Sequence, residues 1–214
     1  MLGTTGAGKT TTFKCLTGEE GPDLGQLFMG GHDVRTQRGH DQARCMIGYC
    51  PQFEAIFENL TVRQHLDFYA NIKGVRRDYL TELVDKTLKE MDLTDYKHVN
   101  AGQLSGGNKR KLQCAIALIG NPPIVLLDEP STGVDPQAKR FMWTIISNIS
   151  TLRKQSTVVL TTHSMEEAEA LCTKMGIMVN GSFKCFGSSQ HIKDKYGTGF
   201  EIEVKIAQLA DQEL

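Results

Sequence analysis

Eight residues near the start of the chain, Gly3-Thr4-Thr5-Gly6-Ala7-Gly8-Lys9-Thr10, fit the spacing G-x-x-x-x-G-K-[ST], and few folds accommodate such a run. Glycines at 3, 6 and 8 let backbone N–H groups curl round a phosphate where a Cβ would obstruct them. Lys9 then reaches the terminal phosphates, and the Thr10 hydroxyl is a ligand for Mg²⁺. The loop needs a strand leading in and a helix leading out. The helix is expected from about Lys9 to Thr17, with its positive end toward the anion. A plain glycine-rich turn is the alternative.

A second element points the same way. Ile124-Val125-Leu126-Leu127 are consecutive apolar residues followed by Asp128-Glu129-Pro130, which reads as a parallel strand buried on both faces, with acids where it ends. Ligands of open α/β sheets sit at that end. Asp128 is expected to hold Mg²⁺, directly or through water, and Glu129 to polarise the water that attacks a γ-phosphate; a solvated acidic turn is the alternative. Asp135 falls near the N-cap of a helix from Pro136 to about Leu152. Upstream, in Leu104-Ser105-Gly106-Gly107-Asn108, Ser105 can cap a helix whose first amides form another anion site, with Gly106 and Gly107 allowing close approach. An ordinary capped helix start explains Ser105 but not the paired glycines. A second phosphate site far along the chain needs a second phosphate, so the two together read as an ATP-driven dimerising motor.

Alternating strands and helices imply a mostly parallel sheet. Gly25–Met29 and His32–Val34 flank Gly30-Gly31 as a hairpin, and Met46–Cys50 is a short strand halted by Pro51. Two amphipathic helices follow: Val62, Leu66, Tyr69 and Ile72 share one face, as do Leu80, Leu83, Val84, Thr87, Leu88 and Met91, and Thr61 is placed to cap the first. A helix continues through Leu112 to Ile119. Later elements are a strand over 157–161, a helix over 165–172, a strand over 175–179, a hairpin at Asn180-Gly181, a short helix over 188–196 and a strand over 200–206. Lys109-Arg110-Lys111 reads as a solvated basic face, with phosphate or partner contact as the sharper alternative.

The 214 residues suit one domain. A net charge of −1 gives no polyanion footprint, so nucleic acid is not an expected partner. No stretch reaches the length of an apolar membrane span, and no secretory signal is visible. Six cysteines without a CxxC pair read as reduced, mostly packed thiols of a cytosolic domain.

The phosphate loop, Gln52 after Tyr49-Cys50-Pro51, the LSGGN signature, Asp128-Glu129, Asp135 and His163 occur in the order and spacing of ATP-binding-cassette (ABC) ATPases. IGYCPQFEAI, LTVRQHLDFYA, LSGGNKRKLQCAIALIGNPPIVLLDEP and FKCFGSSQHIKDKYGTGF resemble the A subfamily of ABC transporters, in particular the second cassette of its full-length members. The resemblance runs from Gly3 to about Ile206. It implies a P-loop NTPase fold, RecA-like, with an inserted helical lobe: core over 1–52 and 110–180, lobe with signature over 53–109, and a C-terminal extension over 181–214. It further implies a composite site, in which Gly3 to Thr11 of one cassette, Thr11 included, and Ser105 to Asn108 of a second enclose each ATP. Gln52 would couple Mg²⁺ and the attacking water to a transmembrane partner, making Thr10, Gln52 and Asp128 the metal set. His163 would contact the γ-phosphate, and Asp135 would cross the dimer interface. The implied setting is the cytosolic face of a membrane, in an integral transporter of lipids.

The family also places an adenine-stacking aromatic residue and two or more core strands upstream of the phosphate loop, where this chain has only Met1-Leu2. The expectation is therefore a central sheet position left empty and a fragment of low stability by itself. Asn108 stands where the wider superfamily most often has Gln, as the second A-subfamily cassette does. Two other readings remain open: a soluble ABC ATPase, for which the fifty-one residues between Gln52 and Leu104 are too few to hold a coiled-coil arm, and an inactive regulatory fragment that pairs with other cassettes.

Overall fold

The computed structural model describes residues 1–151 and 156–197. Its central sheet is built from β3 (Ile47–Cys50), β4 (Ile124–Asp128) and β5 (Thr157–Thr161), all parallel, in the order β3-β4-β5. Strand β4 lies in the middle, and Val125, Leu126 and Leu127 are buried, as an apolar run with helices on both sides of its sheet requires. Helix α1 (Lys9–Thr17) lies against this sheet through Phe13, which is fully buried beside Met29, Val34, Ala43, Ile47 and Leu126.

The small hairpin of β1 (Phe28–Met29) and β2 (His32–Asp33) pairs as expected. Helix α2 (Gln37–Met46) was not expected, and it absorbs Met46 from the foreseen strand. Its sequence is polar and lacks an apolar stripe. Thr36 caps it by accepting from the Gly39 amide, and a Cβ at Gly39 would lie 2.1 Å from the Asp33 carbonyl oxygen, so only glycine allows this approach.

Helices α3 (Val62–Ile72) and α4 (Arg77–Glu90) stand where the apolar periodicity places them. Thr61 caps α3 in a reciprocal box: its hydroxyl accepts from the Gln64 amide, and the Gln64 side chain accepts from the Thr61 amide at 2.8 Å. Their buried faces meet α5 (Gly106–Leu118) and α6 (Pro136–Thr151) in one large core that includes Leu66, Leu88, Leu112 and Met142.

The central sheet position expected to be empty is held by Met1 to Gly3. Leu2 pairs in parallel with Thr162 on one side and Ile177 on the other. Four backbone hydrogen bonds fix it: Leu2 N–H to Gly176 O, Gly3 N–H to Thr162 O, Thr162 N–H to Met1 O and Met178 N–H to Leu2 O. Three residues thus join β5 to the antiparallel hairpin of β6 (Met175–Val179) and β7 (Ser182–Gly187). Only the far end of β5 stays uncovered, with Thr157 exposed and Val158 and Val159 half-buried. The β6–β7 turn is Asn180-Gly181, both at positive φ, the conformation that favours this dipeptide in tight hairpins.

Helices α7 (Met165–Leu171) and α8 (Ser189–Tyr196) complete the described chain. The expected strand over 200–206, and half of the expected extension, lie outside the described residues. No helix among the described residues is long and apolar enough to cross a membrane. All six cysteines are free. Cys50 and Cys114 are buried with their sulfurs 3.7 Å apart, whereas Cys45 is exposed.

Candidate active site

The phosphate loop connects the Met1–Gly3 segment to α1. Gly6 and Gly8 take φ of 80° and 100°, a region that L side chains enter at a cost. A Cβ at Gly3 would lie 2.7 Å from the Met178 carbonyl oxygen, so the loop sits close over β6. Thr4, Thr5 and Gly6 are exposed, Ala7 is buried, Thr10 is half-buried and Thr11 is exposed on the first turn of α1. No side chain caps α1, which leaves its first amides facing the loop as an anion site. Lys9 is buried. Its ammonium donates to the carbonyls of Gly3 and Thr4 at 2.8 and 3.1 Å.

The acids lie where β4 ends. Asp128 is 1% exposed. Its Oδ1 accepts from the Thr161 hydroxyl at 2.5 Å, and its Oδ2 is buried with no hydrogen-bond partner. An orphaned buried carboxylate oxygen is costly. Asp128 lines a cavity of about 350 Å³ with Thr10, Gln52 and Tyr49. A hydroxyl, a carboxylate and an amide are hard oxygen donors, the set that suits Mg²⁺, so these residues fit that ion. Beside that carboxylate, burial and the Asp128 charge push the Tyr49 phenol up to about 12.

Glu129 has φ of 46°, a left-handed conformation rare for a residue with a Cβ. It is held from the N-terminal side by its amide, which donates to the Thr161 hydroxyl at 3.0 Å and the Thr161 carbonyl at 3.2 Å. The carboxylate gathers four partners. Its Oε1 lies 3.3 Å from the Lys9 ammonium, and its Oε2 lies 3.0 Å from the Thr132 hydroxyl, 3.3 Å from His163 Nδ1 and 3.4 Å from the Gln52 amide nitrogen. Burial alone would raise this carboxyl's pKa. The Thr132 hydroxyl, the Lys9 ammonium and His163 outweigh burial and hold it below the usual carboxylate value.

The structure therefore brings together Gly3 to Thr11, Gln52, Asp128, Glu129 and His163. The other expected residues gather elsewhere. Ser105 caps α5 by accepting from the Asn108 amide at 3.3 Å, while Gly106 is exposed and Gly107 half-buried. Ser105, Gly107 and Asn108 line a separate pocket with Asp135. Asp135 Oδ1 caps α6, accepting from the amides of Gln137 and Ala138 at 3.0 Å each. Within one chain, then, Asp135 lies beside the signature and the phosphate loop beside the Asp128-Glu129 pair, in two separate clusters.

The basic triplet is not one solvated face. Lys109 pairs with Glu54 at 3.0 Å. Lys111 pairs with Asp92 at 3.0 Å and lies over the Phe141 ring. Arg110 points inward and is 7% exposed. Thr132, the buried Arg110 and the Thr161 hydroxyl are site residues that sequence reasoning missed. For the last two the only signal was position, beside the glycine pair for Arg110 and at the end of a strand neighbouring the acids for Thr161.

Solved ATP-binding cassettes share this fold. The chain superposes on the ATP-binding subunit of an ABC transporter with a TM-score of 0.82 at 28% identity, over 92% of this chain and 80% of that one. It superposes on a dimeric ATP-binding cassette in a post-hydrolysis state bound to ADP and Pi with a TM-score of 0.78, over 87% of this chain and 83% of that one. At 21% identity, the latter bears on the fold alone. Fold and phosphate loop together define an ABC ATPase domain. The family profile described as ABC transporter matches residues 1–132, more than half of the chain, and the chain belongs to that family. Its similarity runs to the A subfamily. It is 49% identical to the retinal-specific phospholipid-transporting ATPase ABCA4 of Homo sapiens over 211 residues, 99% of this chain and 9% of that protein. It is 48% identical to ATP-binding cassette sub-family A member 2 of Homo sapiens over 96% of this chain and 8% of that protein. It is 46% identical to the phospholipid-transporting ATPase ABCA3 of Homo sapiens over 100% of this chain and 12% of that protein. The chain thus spans about a tenth of the length of these relatives.

Proposed function

We propose that this chain is the cassette, corresponding to the second one of an A-subfamily transporter, that hydrolyses ATP to move phospholipid across a membrane. Residues 1–52 and 110–180 serve as its core, 53–109 as its lobe and 181–214 as an extension. The observation that carries the reading is the Glu129 carboxylate, which meets Lys9, Gln52, Thr132 and His163 at the end of a buried strand. The lipid substrate rests on the phospholipid-transporting relatives.

The chemistry follows from the residues. Lys9 turns from Glu129 toward the terminal phosphates of ATP, which frees a carboxylate that keeps the Thr132 hydroxyl and His163 beside it to take a proton from water. Gly6, Gly8 and the first amides of α1, from Lys9 to Thr11, hold phosphate oxygens. Asp128, Thr10 and Gln52 would hold Mg²⁺, which when bound would neutralise charge on the phosphates. His163 Nδ1 and the Gln52 amide orient the water and the γ-phosphate from either side of Glu129. Ser105, Gly106, Gly107 and Asn108 make the second anion site, and with Asp135 they serve the phosphate loop of a partner cassette across the interface. The partner and the transmembrane domains belong to the same polypeptide, and the cassette works on the cytosolic face.

The test is transport by the intact polypeptide in phospholipid vesicles. ATP and Mg²⁺ are expected to drive labelled phospholipid between leaflets, and Glu129→Gln to lower that rate by about 100-fold or more. Lipid movement that is indifferent to ATP, or equal in the variant, contradicts the proposal.

A further inference from the structure

Arg110 lies in the first turns of the signature helix α5, and all its donors are used. A guanidinium has five N–H groups in a fixed plane. Here Nε donates to the Pro130 carbonyl at 3.0 Å. One terminal nitrogen donates to the Pro51 carbonyl at 2.6 Å and to Gln113 Oε1 at 3.1 Å. The other donates to the carbonyls of Asp128 and Glu129 at 2.7 and 2.9 Å. Burying a cation is costly unless its hydrogen bonds are made, and a solvated surface arginine needs none of this.

The acceptors share a property. Pro51 is the residue before Gln52, and Asp128, Glu129 and Pro130 are the end of the acidic strand. Gln113 extends the grip, because its amide nitrogen donates to the Phe53 carbonyl at 2.7 Å. Gln52 is thereby bracketed, with Pro51 held by Arg110 and Phe53 held by Gln113. Glu129 is bracketed as well. Thr161 holds its amide and Arg110 its carbonyl, on either side of the left-handed φ that turns its carboxylate toward Lys9.

We propose that Arg110 is a positioning residue for ATP hydrolysis. It ties the signature helix to the two main-chain segments that aim Gln52 and Glu129, so the alignment of the base depends on that helix. The proposal rests on the ATPase reading above. Lysine cannot replace the fork, because an ammonium is a point charge with three donors at one nitrogen.

The experiment compares wild type, Arg110→Lys and Arg110→Ala of the intact polypeptide, measuring kcat and KM for ATP hydrolysis and binding of a fluorescent ATP analogue. Arg110→Lys is expected to lose about 100-fold in kcat, the scale of a misaligned base. Its KM and analogue binding are expected to stay within about twofold of wild type, since Arg110 touches neither the phosphate loop nor the signature glycines. Methylguanidinium is expected to restore about tenfold in Arg110→Ala, a recovery that a merely structural role does not give. Where Arg110→Ala fails to fold, Arg110→Lys, which keeps the charge and most of the volume, decides. Unchanged kcat in Arg110→Lys, or kcat lost only in step with the folded fraction in both variants, overturns the proposal. Wild type without Mg²⁺-dependent ATP hydrolysis overturns the ATPase reading and this proposal with it.

Discussion

Thr161 shows how much of the site depends on one hydroxyl. It donates to Asp128 Oδ1 and accepts from the Glu129 amide, so it fixes both acids. Valine has the same shape without the hydroxyl and would leave both oxygens of a buried carboxylate without a protein partner. Thr161→Val is therefore expected to cost about 2–3 kcal/mol of unfolding free energy, read by chemical denaturation without Mg²⁺. A loss under about 0.5 kcal/mol contradicts this account of Asp128. Arg110 teaches the same lesson in a different chemistry. Its side chain is buried among carbonyls, and no residue-type pattern distinguishes it from the lysines on either side.

Elements with a period were legible. The apolar face of α4, the Thr61 cap, the β4 run and the Asn180-Gly181 turn stand where the sequence places them, because each is decided by local chemistry; on α3 the buried face runs through Val62, His65, Leu66 and Ala70, and Ile72 of the expected face is exposed. Helix α2 was not legible, because its reasons are tertiary. It buries little beyond Gly39 and Ala43 and depends on a close approach to Asp33. In α3, His65 was also passed over. It is fully buried, its Nδ1–H donates to the Thr61 carbonyl at 2.8 Å and its Nε2 accepts from the Phe57 amide at 2.9 Å. That acceptor exists only on a neutral ring, and burial holds the pKa below its ordinary 6.5. Below 6.5 the unfolded chain takes up a proton that the folded one refuses. The stability His65 gives is thus present above 6.5 and lost as pH falls through the lower folded value. The melting-temperature gap between wild type and His65→Gln, followed by the fluorescence of the single tryptophan, Trp143, is expected to be wide at about pH 7.5 and narrower at about pH 5.5. A constant gap contradicts the assignment of a neutral, buried ring.

At the scale of the molecule, the expected site residues form two separate groups. The phosphate loop, Asp128, Glu129, Gln52 and His163 form one group, and Ser105 to Asn108 with Asp135 form the other. The motifs announced both groups, because each is a short run with a fixed spacing. The stitch that Met1 to Gly3 makes between β5 and β6 was not announced, since two residues ahead of a glycine carry no strand pattern. On the function proposed above, each group is completed by a second cassette, and hydrolysis at Glu129 releases the pair. The most direct test is nucleotide retention by Glu129→Gln in the intact polypeptide, supplied with labelled ATP and Mg²⁺ and passed through a desalting column. The account predicts that the variant keeps unhydrolysed ATP, bound between paired cassettes, while wild type releases ADP. Wild-type turnover by Glu129→Gln, or no ATP retained, contradicts it.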